Sequence, residues 1–123
     1  MDTYKGKGAL VFSWSTPVRG REMKALEVLG SSVEYFERLR TDGRVDDCRV
    51  YTSAAANEGM LVVDGDFESL NSLYLDEDVH RIIAKSNLVG DDFRVRLMAG
   101  GHPEDAKHPA MLFAQMLGEL DLA

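Results

Sequence analysis

The chain has 123 residues and a mass of 13.7 kDa, the size of one ordinary domain that buries roughly two-thirds of its unfolded surface. Lys and Arg number 14 against 21 Asp and Glu, and the resulting charge of −7 argues against nonspecific attraction to nucleic acid or to an anionic membrane. With 45% hydrophobic and 28% charged residues, the composition is that of a globular domain, not of a disordered, collagen-like or coiled-coil chain.

From Gly8 to Ser15 the run is rich in β-branched and aromatic residues, and Pro17 closes it, which predicts a first strand. Between Arg21 and Arg40 the apolar residues Ala25, Leu26, Leu29, Val33, Phe36 and Leu39 recur at three- and four-residue spacing, an amphipathic helix that stops at Gly43. Arg44 to Ala55 alternates through Val45, Cys48, Val50 and Thr52, a second strand, and a turn is expected near Ala56 and Asn57. Met60 to Val63 is a short continuous apolar run, as expected of a central strand. Asp66 is placed to N-cap a second helix from Phe67 to about Ser86, with a bend or break expected at Asp76, Glu77 and Asp78. Phe93 to Met98 alternates and ends at Gly100 and Gly101, a fourth strand. Pro103 and Pro109 frame a polar loop, and Pro109 is expected to open a C-terminal helix at about 109–120.

The lone Cys48 has no partner for an intrachain disulfide or a paired-thiol site, which suits a reducing compartment. The segment before Ser13 is too short in apolar length for a signal sequence or a spanning helix, so a cytoplasmic protein is expected. A single domain follows, with a core at about 8–101 and the C-terminal helix added to it.

The order β, α, β, β, α, β predicts an α+β, ferredoxin-like fold with a four-stranded antiparallel sheet, because right-handed crossovers place both helices on one sheet face. The first and third strands are apolar at both parities, Leu10, Phe12 and Trp14 against Ala9 and Val11, so the second face also needs a cover. A second copy in a two-fold homodimer is the expected cover, with the C-terminal helix as a possible contributor.

On this element order, the long first helix from Arg21 and the run Phe93, Arg94, Val95, Arg96, Leu97, the stretch from Ala9 to Gly101 resembles the dimeric α+β barrel superfamily. That superfamily includes antibiotic-biosynthesis monooxygenases, EthD-like and YCII-like proteins. The resemblance is architectural and implies a homodimer with a cleft between helices and sheet that takes a small, mostly apolar organic molecule. It carries no particular reaction.

Strand parity puts Phe12, Trp14 and Thr52 on the helix side, a phenyl ring, an indole and a hydroxyl of the kind that lines ligand sites; plain core packing is the alternative. His80, beside Val79 on the second helix, is the candidate catalytic group as a general base or hydrogen-bond donor, against the plainer reading of a surface helical histidine. His102 and His108 flank Glu104 and Asp105 at a spacing that matches no zinc pattern, and Asp64 to Glu68 lacks the periodic ligands of a calcium loop, so no metal is expected. No cofactor is expected either: a haem-ligand role for His80 rests on one histidine, which is no signature, and no phosphate loop occurs; a GxSxG nucleophile elbow is absent too. Arg94 and Arg96 share a strand face and are expected to meet Asp47 and Arg49 across a dimer interface, or to bind an anion.

The expectation is a homodimer that binds a small apolar or aromatic compound, with a cofactor-independent oxygenase, isomerase or cyclase as the open reaction classes. The alternative is a noncatalytic interaction or regulatory module, whose function lies in its dimer face and C-terminal helix. Neither reading involves nucleic acid or a membrane.

Overall fold

The computed structural model describes residues 4–53 and 58–122. Among them, the elements run β1 (Lys7–Trp14), α1 (Glu22–Thr41), β2 (Asp47–Thr52), β3 (Gly59–Asp66), α2 (Phe67–Tyr74), α3 (Glu77–Val89), β4 (Arg94–Ala99) and α4 (Pro103–Glu119). The strands form one antiparallel sheet in the order β2-β3-β1-β4, an α+β architecture compatible with a ferredoxin-like fold. No helix among the described residues is long and apolar enough to cross a membrane. The expected turn at Ala56 and Asn57 lies outside the described residues.

Strand parity sorts the two faces as the alternation predicts. Leu10 and Phe12 of β1 and Leu61 and Val63 of β3 are buried with Phe36 and Leu39 of α1, Leu70 and Leu73 of α2 and Val79 of α3. Those contacts place α1, α2 and α3 on one side of the sheet. On the other side, three rows of residues cross the four strands: Asp47, Asp64, Ala9, Met98; then Arg49, Val62, Val11, Arg96; then Tyr51, Met60, Ser13, Arg94. Among the described residues no buried helical side chain covers these rows, and Met98, Tyr51 and Met60 stand open to solvent.

Local hydrogen bonds explain where elements stop. At the end of α1, Gly43 takes φ 78° and Arg44 donates its N–H to the Leu39 carbonyl at 2.9 Å, closing the helix with a left-handed residue. That bond ties Arg44 to the helix, so β2 begins at Asp47 and not at Arg44. The helix expected from Phe67 to Ser86 is two helices, because the Asp76 carboxylate accepts the Asp78 N–H at 2.8 Å and starts α3 afresh. Asp66 precedes α2 but caps nothing with its side chain; its carboxylate instead pairs with the Lys7 ammonium at 2.9 Å, and Asp46 does so at 2.8 Å.

The C-terminal helix also departs from expectation. It begins at Pro103, and Pro109 lies inside it. An internal proline removes the bond to the carbonyl four residues back, here that of Asp105. The Tyr4 hydroxyl lies between the Lys7 carbonyl at 2.7 Å and that Asp105 carbonyl at 3.1 Å, so its one proton is shared and the helix runs through the proline with a polar group beside the freed acceptor.

Candidate functional site

A cleft of about 400 Å³ lies between α1, α3 and the sheet. Its floor is the helix-side face of the sheet, where Phe12 and Leu61 are cross-strand partners and the Phe12 ring packs 5.5 Å from Phe36 and 6.3 Å from Phe93. Ala25, Leu29 and Ser32 of α1 form one wall, and Ile82 and Ser86 of α3 form the other. This size and apolar lining match the sites that hold small organic molecules.

The sheet end of the cleft is built around Trp14. Gly59 is its cross-strand partner, and a Cβ there would lie 2.7 Å from indole Cζ2 and 2.8 Å from the Tyr51 carbonyl oxygen. Only a glycine lets the ring lie down over β3. Past Trp14 the chain is zipped to the segment that follows α3: Ser15 donates to Asp91 at 2.9 Å, Asp91 to Thr16 at 2.7 Å and Val18 to Val89 at 2.8 Å, all through backbone groups. These bonds hold Pro17 and Gly90 at the cleft and fix the spacing of β1 from α3.

Polar groups on the lining are few. Ser32 is buried, and its hydroxyl donates to the Val28 carbonyl one turn back at 2.6 Å; its lone pairs remain to accept a bond. Thr52 lies at the exposed end beside Gly59. Glu22, exposed in the first turn of α1, is the ionisable side chain on the lining. Backbone N–H groups of Gly20 and of Glu22 itself hold its carboxyl below the usual range, so it is charged and a weak base.

The structure therefore brings Phe12, Trp14 and Thr52 together and leaves His80 elsewhere. His80 is exposed on α3, and its ring meets Tyr74 edge-on at 6.2 Å, outside the cleft lining. Ser32 and Glu22 escape the sequence reading. Ser32 carries a usable signal, since Ala25, Leu29, Ser32 and Phe36 share the core-facing stripe of α1 and a hydroxyl among them is the polar exception.

Cys48 is half-buried on the helix side of β2, and burial, reinforced by Glu37 and Asp47, pushes its thiol up to about 11. Burial thus favours the protonated thiol over the reactive thiolate. Among the described residues, no group of three or more His, Cys, Asp or Glu side chains is placed to hold a metal ion. His102 and Asp105 are joined by reciprocal bonds at the start of α4, at 3.2 Å from the His102 N–H to the carboxylate and 2.8 Å from the Asp105 N–H to the His102 carbonyl. Asp47 and Arg49, expected to reach Arg94 and Arg96 of another copy, pair with each other at 2.8 Å along β2.

A second recess, of about 490 Å³, lies on the opposite sheet face between Ser13, Tyr51, Met60, Arg94 and Arg96. It is more polar and carries the two arginines, neither of which makes an ion pair among the described residues. No family model, curated protein or solved structure matches the chain.

Proposed function

We propose that the protein binds a small, mostly apolar organic molecule in the cleft between α1, α3 and the sheet, and that it does so as a ferredoxin-like homodimer of the dimeric α+β barrel type. The observation that carries the ligand reading is the cleft itself, about 400 Å³ of space beside a tightly packed core, lined by aromatic and aliphatic groups with hydroxyls at Ser32, Thr52 and Ser86. The lining favours a neutral or cationic ligand over an anionic one, because its charged group is the carboxylate of Glu22. Binding is supported more directly than turnover. A proton-transfer reaction needs a group of suitable basicity at the ligand, and the sequence candidate His80 stands outside the lining. Oxygenase, isomerase and cyclase activities are proposed here without His80: if turnover occurs in this cleft, His80→Ala is expected to leave it unchanged, and its loss in a folded variant would move the reacting site to His80.

Trp14 is the chain's one tryptophan, so its emission reports occupancy without a label. Titration with a neutral bicyclic compound transparent in the tryptophan range, such as borneol, is expected to change that emission saturably at micromolar concentration. A linear, unsaturable change up to the solubility limit would refute the ligand reading.

The noncatalytic reading has an observation of its own. Phe113 on α4 and Leu120 just past its end are 67% and 68% exposed, and no residue of that helix is buried, which marks an unpartnered apolar surface.

A further inference from the structure

We infer that the ligand of the cleft is an apolar amine: its hydrocarbon body fills the space between α1 and α3, and its ammonium group pairs with the Glu22 carboxylate. The inference rests on the ligand reading above and names the chemical class that the site selects.

Polarity on the lining is one-sided. Glu22 is its charged side chain, and its other oxygen-bearing side chains are the hydroxyls of Ser32, Thr52, Ser53 and Ser86. The buried one, Ser32, already gives its proton to the Val28 carbonyl at 2.6 Å, so it meets a ligand as an acceptor. A carboxylate or phosphate ligand would lose its hydration against a wall that, among the described residues, carries no ammonium or guanidinium. An ammonium brings three donors and a positive charge, the complement of an anionic carboxylate. The rings of Phe12, Trp14 and Phe93 suit the same ligand, since they pack its hydrocarbon body and their faces attract a cation.

The carboxylate is fixed and still has room for a partner. The Gly20 N–H donates to its Oε1 at 3.0 Å, which holds the group at the first turn of α1, and a carboxylate offers roughly four acceptor positions. Glu22 makes no ion pair among the described residues. The cations beside it in sequence are engaged elsewhere: the Arg21 guanidinium donates to the Leu88 carbonyl at 2.6 Å, and the Lys24 ammonium pairs with Glu27 at 3.3 Å. The Arg21 bond and the backbone bond from Val18 to Val89 tie the start of α1 to the end of α3. Glu22 therefore stands at the end of the cleft where its two helical walls are joined.

A pair of probes that share one skeleton tests the charge. Bornylamine, protonated at neutral pH, and borneol differ only in the group that the bicyclic body carries, and each is titrated against Trp14 emission. The titrations use the unaltered protein, Glu22→Gln and Glu34→Gln, with far-UV circular dichroism as the check on folding. Glu34 is exposed on α1 and off the lining, so its replacement makes the same change to the net charge of −7 without touching the cleft. Bornylamine is expected to bind about fivefold more tightly than borneol, the upper range of an exposed ion pair, and the difference is expected to shrink to about twofold or less in Glu22→Gln. Glu34→Gln is expected to keep the full preference. Borneol binding as tightly as bornylamine overturns the amine class while leaving the ligand reading standing. A preference that survives Glu22→Gln, or that Glu34→Gln removes equally, overturns the pairing, because the charge is then read elsewhere on the protein. Saturable binding of neither probe overturns both the amine class and the ligand reading beneath it.

Discussion

Trp14 and Gly59 face each other across β1 and β3, and the indole occupies the space that any side chain at position 59 would need. A Cβ at that position meets the ring on one side and the Tyr51 backbone carbonyl on the other, at 2.7 and 2.8 Å. The carbonyl belongs to a paired strand and cannot retreat.

Gly59→Ala is therefore expected to push the indole off β3 and to lower stability by about 1–3 kcal/mol, the usual cost of overpacking. Urea unfolding followed by circular dichroism measures the loss, and a shift of the folded-state Trp14 emission reports the displaced ring. An unchanged emission maximum with unchanged stability would show that the ring does not lie there.

Phe12 gives the scale of the core. Its ring is 2% exposed and contacts Phe36 and Phe93 while forming the floor of the cleft. Phe12→Ala is expected to cost about 3–5 kcal/mol, through lost transfer free energy and the hole left behind. Met23→Ala, on the solvent side of α1 where the residue is 71% exposed, should change stability by no more than about 0.5 kcal/mol. Equal midpoints for the two variants in urea would contradict the burial pattern.

These same positions show what was legible beforehand. Alternation puts Leu10, Phe12 and Trp14 on one face of β1, but the strand is apolar at both parities, so placing that face under the helices was a choice that the burial of Leu10 and Phe12 bears out. The start of α4 was not legible, since Pro109 reads locally as a helix opener. The polar group nearest the carbonyl that Pro109 frees, the Tyr4 hydroxyl shared between Lys7 and Asp105, lies 101 residues from Asp105 in sequence. The break at Asp76 was visible as an acidic cluster, but whether it bent or restarted the helix depended on one carboxylate finding the Asp78 N–H. Near Val79 the helical period leaves neighbours about 100° apart. Val79 points into the core and His80 out toward Tyr74, a difference of side that chain order by itself does not decide.

The Cys48 thiol supplies a pH test. Its value rises from an ordinary 9.0 to about 11, through burial first and then Glu37 and Asp47. The folded state thus holds the proton in a range where the unfolded chain has released it. A raised folded value means the contribution is fully present below about 9, and stability declines as pH climbs from there through about 11. Alkylation by iodoacetamide should follow the thiolate, with its inflection near 11 in buffer and near the ordinary value in denaturing urea. Coincident inflections would show that the thiol is not held in the half-buried site.

Ala25 offers the sharpest separation of cleft from core. It sits on the wall that α1 contributes, partly exposed and facing the space between Phe12 and Ile82 rather than the packed cluster of Phe36 and Leu39. Ala25→Phe places a ring where a ligand would lie, without removing any buried contact. Affinity for a neutral aromatic probe is expected to fall at least tenfold, which corresponds to about 1.4 kcal/mol, while the urea midpoint stays close to that of the unaltered protein. Competition between the new ring and the probe for one space is the reason the two readouts should part. Undiminished binding in a folded Ala25→Phe protein would move the ligand out of this cleft and turn attention to the recess beside Tyr51 and Arg94 on the opposite face.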